Sequence, residues 1–368
     1  MSRDGLQRLL TERGAISVAA FMEWCLTGGE DAYYREAEAI GRGGDFITAP
    51  EVSQIFGELV GLWAGAVWRG MGQPSPVMFV ELGPGRGTLM ADALRALRVV
   101  PGFLDAAKLH LVERSERLRQ FQSLALHGAS PTWHERLENV PNRPAIVIAN
   151  EFFDALPVSQ YIHSSGGWRE RVVRLDDGGN AVFAAAEPAA PPPPVALPSP
   201  VEDGTIFEAR VSARPFFDDI GRRARDFPVA ALIVDYGYGE DGYGDTLQAV
   251  RGHSYADPLA DPGTSDLSAH VNFAELTRMA AESRLAAWGP LPQGEFLLAL
   301  GLEARLQRLI SSARAEQREA LVMGARRLTD PYQMGALFKA MALTGPGLAP
   351  PPPFTSAHRA GSGGQESR

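Results

Sequence analysis

The apolar positions of this chain follow two periods. Val52, Ile55, Phe56, Leu59, Val60, Trp63 and Val67 recur at i, i+3, i+4 and i+7 spacing within EVSQIFGELVGLWAGAVWRGM. That spacing predicts one long amphipathic helix after Pro50, with its stripe turned to a core. The runs VMFV, LHLV, AIVIA and VAALIV are unbroken instead, as strands buried on both faces are. Between the first of them, LMADALRALRVV and RLRQFQSLAL read as helices. Strand and helix alternate, so the pattern predicts an α/β fold with a parallel, Rossmann-like sheet.

The rhythm fails at two places. QYIHSSGGWRERVVRLDDGGNAVFAAAE alternates like two or three antiparallel strands turning at Gly166-Gly167 and Gly178-Gly179. The proline-rich Pro188 to Pro200 follows, expected to be extended or disordered. The N-terminal residues Leu6 to Cys25 read as two short helices split by Gly14, and GEFLLALGLEARLQRLISSARAEQREALVMGARRL reads as C-terminal helices. The expected organisation is therefore an N-terminal helical region with a loop over 1–76, an α/β core over 77–160 and 229–292, a β-rich insertion over 161–228, C-terminal helices over 293–348, and a disordered tail over 349–368.

Composition narrows the function classes. The formal net charge of -9 leaves no basic surplus for phosphates, so a nucleic-acid partner is not expected. Cys25 is the only cysteine, which excludes an internal disulfide and suits a reducing compartment. No apolar run has the length of a membrane span, and the first residues read as a helix with Asp4 at its start in place of a leader. These features predict a cytoplasmic protein without membrane insertion. His270 has no second histidine at ligand spacing, so no metal is expected.

The chemistry concentrates at the ends of the unbroken runs. VMFVELGPGRGTL closes an apolar run on Glu81 and then places Gly83, Gly85 and Gly87 on alternate positions ahead of a helix. Glycines are required where φ is positive or a ligand approaches the backbone, and the helix start behind them presents N–H groups. The third-glycine spacing of dinucleotide folds and the Gly-Lys-Ser/Thr end of phosphate loops are both absent. LHLVERS ends on Glu113, where a carboxylate can accept from both ribose hydroxyls, or can stand as a solvated charge. AIVIANEFFDALP ends on Asn150, Glu151 and Asp154, with two phenylalanines that could exclude water around a cation held by the acids. Asp154 could equally cap the turn before Pro157. VDYGY places Asp235 and Tyr236 at the end of the next run, where they are expected on the substrate side, and the loop GDFITAPE, with Phe46, Thr48 and the following Gln54, is expected to lie over the cofactor as a lid.

The acid-x-Gly-x-Gly-x-Gly turn resembles the first motif of class I S-adenosylmethionine methyltransferases, in which the turn lies under the methionine part. GDFITAPEVSQIFGELVG, VELGPGRGTLMADALRAL, LVERSERLR, ANEFFDALPVSQY, VDYGY, GDTLQAVRGH, AHVNF and PLPQGEFLLALG together resemble the MidA family, which is related to the mitochondrial complex I assembly methyltransferase. The similarity runs from about Gly14 to Leu348. It implies S-adenosyl-L-methionine as cofactor, with Glu81 ordering the turn, Gly83, Gly85 and Gly87 at the methionine part, Glu113 on the ribose and Asn150 beside the cofactor. It also implies a protein partner, an arginine of a complex I subunit, with Glu151 as its main guanidinium partner and Asp154 second. A homodimer is compatible with the family. Family members usually carry an acid where this chain has Asn272, which leaves open a methyltransferase for another nitrogen or oxygen acceptor, or a cofactor-binding assembly factor without turnover.

Overall fold

The unbroken apolar runs lie side by side. In the computed structural model, which describes residues 3–27 and 48–361 apart from positions 188, 192, 194, 196, 198 and 253, they belong to one central sheet. Seven of its eight strands are β1 (Val77–Leu82), β2 (Ala107–Val112), β3 (Thr132–His134), β4 (Ala145–Asn150), β5 (Val229–Tyr238), β6 (Ala286–Pro292) and β7 (Phe338–Thr344), in the order β6-β7-β5-β4-β1-β2-β3. The pairs from β5 to β3 are parallel, and β7 runs antiparallel to both of its neighbours. The chain leaves β1 toward β2 and β3, then returns to β4 on the other side of β1. The carboxyl ends of β1 and β4 therefore flank the point where strand order reverses, the position at which open α/β sheets take ligands.

Two compact units divide the chain: 1–46 with 154–214 and 238–275, and 47–153 with 215–237 and 276–368. The second holds the central sheet, covered by the helices Gln54–Gly70, Thr88–Leu97 and Glu116–Ala125. The predicted long helix begins later than its stripe suggests. Ser53 is extended at φ -158° and ψ 132°, breaks the path after a short Ala49–Val52 turn, and accepts from Ile55 N–H to cap the helix Gln54–Gly70. That helix packs on Thr88–Leu97 through Gly57 and Gly61. A Cβ built on Gly61 would stand 2.6 Å from Ala93 Cα, so only glycine permits this approach. Buried Glu58, on the same helix, receives Arg95 at 2.9 Å and Arg305 at 2.6 Å. Burial alone would raise its carboxyl, but the hydrogen bonds and charges of the two arginines outweigh this and hold it below the usual range.

The first unit is built on antiparallel pairing. Ala15–Ser17, Gly167–Leu175, Ser159–Ser164 and Ile206–Ala209 are successive neighbours, and Ala181–Ala185 also pairs with Gly167–Leu175. Helices Arg3–Arg13 and Val18–Thr27 contribute Leu6, Leu10, Phe21, Met22 and Cys25 to its core with Val158, Val173 and Leu267. Ser254–Ala256 and Asp266–Ser268 are two short strands on either side of Gln248–Arg251. The insertion drawn from sequence as 161–228 is divided, because helix Arg214–Arg223 falls almost entirely in the sheet unit. Its buried Arg223 donates to the carbonyls of Leu137, Val140 and Pro141 there.

The tail also departs from expectation. Pro-rich composition predicts disorder from 349, yet Phe354 is buried against Phe296 with ring centroids 5.8 Å apart, and Arg359 bridges to Trp288. One aromatic side chain with a place in the core offsets the ordering entropy of a segment whose prolines have little of it to lose. Among the described residues no helix is long and apolar enough to cross a membrane.

Candidate functional site

The turn after β1 has the backbone that its glycines predict. Gly83, Gly85 and Gly87 adopt φ of 58°, 52° and 84°, values at which a side chain is strained. Main-chain hydrogen bonds help to order the turn, Gly83 N–H donating to Val112 O at the end of β2 at 3.0 Å and Gly87 N–H to Pro84 O at 2.8 Å. Among the described residues no hydrogen bond joins Glu81 to the turn, in contrast to the expectation. Its side chain is buried within β1, Oε2 has no partner among the described residues, and burial pushes the carboxyl up to about 8.

Glu113 follows β2 directly. Ser115 N–H donates to its Oε1 at 2.8 Å, and Gln122 Nε2 lies 3.3 Å from its Oε2. Burial raises this carboxyl, partly opposed by those hydrogen bonds and by Arg119. Its backbone N–H donates to His134 O, which ties the end of β2 to β3.

The end of β4 is more constrained. Asn150 is buried, and its Oδ1 has no partner among the described residues. Glu151 takes φ 49°, unusual for a residue with a side chain, while its N–H donates to Val234 O at 2.9 Å. Such strain persists only where surrounding contacts over-determine it. Those contacts are on hand: Asp235 Oδ2 accepts from the N–H groups of Phe152 and Phe153 at 3.2 and 2.9 Å, and its Oδ1 from Tyr236 N–H at 3.0 Å. Glu151 Oε1 accepts from Ala49 N–H at 2.8 Å and from Asn150 Nδ2 at 3.2 Å. The segment that supplies Ala49 is fastened at a second point, where Thr88 Oγ1 donates to Glu51 Oε1 at 2.5 Å. A short stretch after Thr48 thus links the acid at the end of β4 to the helix start behind the glycine turn.

Several expected site residues stand elsewhere. Asp235 and Tyr236, expected on the substrate side, are both buried; the first holds backbone and the second packs its ring 5.5 Å from Phe338. Of the two phenylalanines, Phe152 lies over the turn, 3.1 Å from where a Gly83 Cβ would be, whereas Phe153 packs in the core against Phe216. Phe46 lies outside the described residues, Thr48 is half-buried, and Gln54 turns its amide toward Glu58 at 3.4 Å. Asp154 falls in the first unit, where its carbonyl accepts from Ala269 N–H and from the buried Arg210. In the same unit Asn272 Oδ1 accepts from Glu275 N–H at the start of helix Phe273–Glu282, and its Nδ2 donates to Asp241 at 2.8 Å. An acid at 272 would face the Asp241 carboxylate without a hydrogen between them, so asparagine suits this neighbourhood.

Thr88, Glu51 and Gln122 carried no sequence motif of their own. Gln122 did leave a trace: it falls four residues after Leu118 on the buried stripe of its helix, and neither is exposed beyond 7%. A polar residue on such a stripe needs partners.

Comparison with known proteins agrees with this geometry. A family of S-adenosyl-L-methionine-dependent methyltransferases, Methyltransf_28, matches residues 59–291. The chain is 37% identical to the Drosophila melanogaster mitochondrial homolog of protein arginine methyltransferase NDUFAF7, over 92% of this chain and 83% of that protein. It is 35% identical to human mitochondrial protein arginine methyltransferase NDUFAF7, over 90% and 80% respectively. A COG1565 superfamily member from Burkholderia thailandensis, solved with S-adenosyl-homocysteine bound, superposes with a TM-score of 0.78 at 26% identity, covering 93% of this chain and 91% of that one.

The residues present fit S-adenosyl-L-methionine. Glu81 Oε2 and Asn150 Oδ1 are buried acceptors with no donor among the described residues, on adjacent strands at the point where strand order reverses. The cofactor carries an ammonium, a sulfonium and ribose hydroxyls, which are groups that such acceptors satisfy, and the glycine turn admits its close approach. The fold, the turn and the matches over most of the chain place this protein in the family of S-adenosyl-L-methionine-dependent methyltransferases that includes the NDUFAF7 enzymes.

Proposed function

We propose that the protein methylates an arginine side chain of a protein substrate, and that Glu151 receives the guanidinium. The observation that carries this reading is the strained, doubly anchored Glu151 at the end of β4, next to the glycine turn that follows β1. S-adenosyl-L-methionine supplies an electrophilic sulfonium methyl group. The turn at Gly83, Gly85 and Gly87 takes its methionine part, Glu113 its ribose, and Glu81 and Asn150 its polar donors.

A guanidinium is always protonated at neutral pH and delocalises its charge over three nitrogens, which makes it a poor nucleophile. A carboxylate held in one orientation accepts from two of its N–H groups, draws the positive charge toward them and leaves the third nitrogen aimed at the donor. Anchoring Glu151 Oε1 by Ala49 N–H and Asn150 removes the rotational freedom that would otherwise be lost on substrate binding. The named activity of the NDUFAF7 relatives supports arginine as acceptor, and the resemblance to the complex I assembly enzymes supports a subunit of NADH:quinone oxidoreductase as the protein that carries it.

The test is intact-mass analysis of that recombinant subunit after incubation with the protein and the cofactor. Mass increments of one or two methyl groups, mapped by fragmentation to an arginine, are expected. Methylation confined to another residue type, or an unmodified subunit alongside demonstrated cofactor binding, overturns the assignment.

A further inference from the structure

Gln122 has no exposed surface, and three polar groups meet its amide. Nε2 donates to Gly85 O at 2.8 Å and to Glu113 Oε2 at 3.3 Å, while Oε1 accepts from Trp133 Nε1 at 2.8 Å. The indole can only donate, and the carbonyl and the ionised carboxylate can only accept, so a single orientation of the amide satisfies all three. Its main chain abuts the same turn: a Cβ on Gly87 would stand 3.3 Å from Gln122 Cα. A residue needed only for filling would be apolar here, as Leu118 is one turn earlier, because burying an amide stabilises nothing unless its partners matter.

We infer that Gln122 is a positioning residue for the cofactor: it holds the glycine turn after β1 and the Glu113 carboxylate after β2 at one fixed separation, so that the methionine and ribose ends are received together. This rests on the assignment of the turn and Glu113 to S-adenosyl-L-methionine. Trp133, just after β3 begins, locks the amide from behind and makes the third parallel strand part of the device. The charged groups nearby are Glu113 itself and Arg119, whose guanidinium donates to the Glu113 carbonyl at 2.6 Å. His134 and His110 pair at 2.9 Å alongside, and burial holds both imidazoles below their ordinary value.

The test is calorimetric titration of S-adenosyl-homocysteine into wild type, Gln122→Glu, Gln122→Met and Glu113→Gln at pH 8 and pH 5.5, with steady-state kinetics and a thermal melt on each. Gln122→Met is expected to weaken binding about tenfold at both pH values, with kcat at saturating cofactor within about twofold of wild type. Gln122→Glu keeps the acceptor for Trp133 but sets a carboxylate against Glu113 and Gly85 O. Its deficit relative to wild type should be about tenfold or more at pH 8 and shrink several-fold at pH 5.5, where the paired carboxyls share a proton and one donor returns. A merely structural role would not produce that pH-dependent ratio. Should Gln122→Glu fail to fold, Gln122→Met carries the test alone. Binding within twofold of wild type in the folded Gln122 variants, with Glu113→Gln weakened, overturns the inference and leaves the site assignment standing. Unchanged binding by Glu113→Gln overturns both.

Discussion

The two walls at the switch point are built from different materials. The wall after β1 is backbone: three glycines at positive φ, ordered by main-chain hydrogen bonds, with Phe152 laid over the first of them. The wall after β4 is a side chain: Glu151 is held in a strained conformation by Asp235, Ala49 and Asn150, which come from other parts of the sequence or from the strand end itself. The turn's own residues can damage the wall after β1 only by gaining atoms, while Gln122 braces it from outside at Gly85 O. A side-chain wall can be dismantled by removing a partner far away in sequence.

The largest effect expected from this contrast is on turnover. Glu151→Gln keeps the shape and one acceptor but loses the charge, so kcat should fall about a thousandfold with cofactor affinity within about threefold. Full turnover on the proposed protein substrate would remove Glu151 from the reaction. Gly85→Val adds a branched side chain at φ 52° and should weaken S-adenosyl-homocysteine binding by about a hundredfold, as measured by calorimetry. If binding persists, the turn is not where the cofactor's methionine part lies.

Asp235→Asn tests whether the acid wall depends on a distant support. Asp235 accepts on both oxygens, and asparagine must turn an NH2 toward N–H donors on one side. A loss of about 2 kcal/mol in stability is expected, with kcat reduced about tenfold and cofactor affinity little changed. Equal losses in kcat and in cofactor affinity would mean that the two walls are not separable.

The last effect is read in stability rather than in turnover and concerns Glu81. Its carboxyl ordinarily titrates near 4.5 and is pushed up to about 8 in the folded protein. Between those values the folded chain holds a proton that the unfolded chain has released, so this group lowers stability by about 1.4 kcal/mol for each unit of rising pH. Glu81→Gln should flatten the fall in Tm between pH 5 and pH 8 and weaken cofactor binding at pH 8. An unchanged slope would mean that the carboxyl ionises without cost.

Much of this was legible from one sequence. Unbroken apolar runs announced the parallel strands, because a strand covered on both faces has no polar side to show. The alternate glycines announced the turn, because no other residue tolerates that backbone. The same rule put Glu113 and Glu151 at the carboxyl ends of strands, where they stand. Asp235 obeyed that rule too and was misplaced, since a carboxylate that faces substrate and one that caps a buried turn look alike in sequence.

What the sequence by itself determined, then, is everything set by local period and local conformation: the strands, the turn, and the helices that cover the sheet. Only the tertiary structure decided which polar groups are satisfied by the protein and which are left for a ligand. Glu81 lost its expected role in the turn, Asp235 gained one at Glu151, and Gln122 emerged from an ordinary amphipathic helix to join two strand ends. The physical reason is that a hydrogen bond between residues tens of positions apart leaves no periodic mark on the chain, while its absence from a buried group is costly enough to define a site.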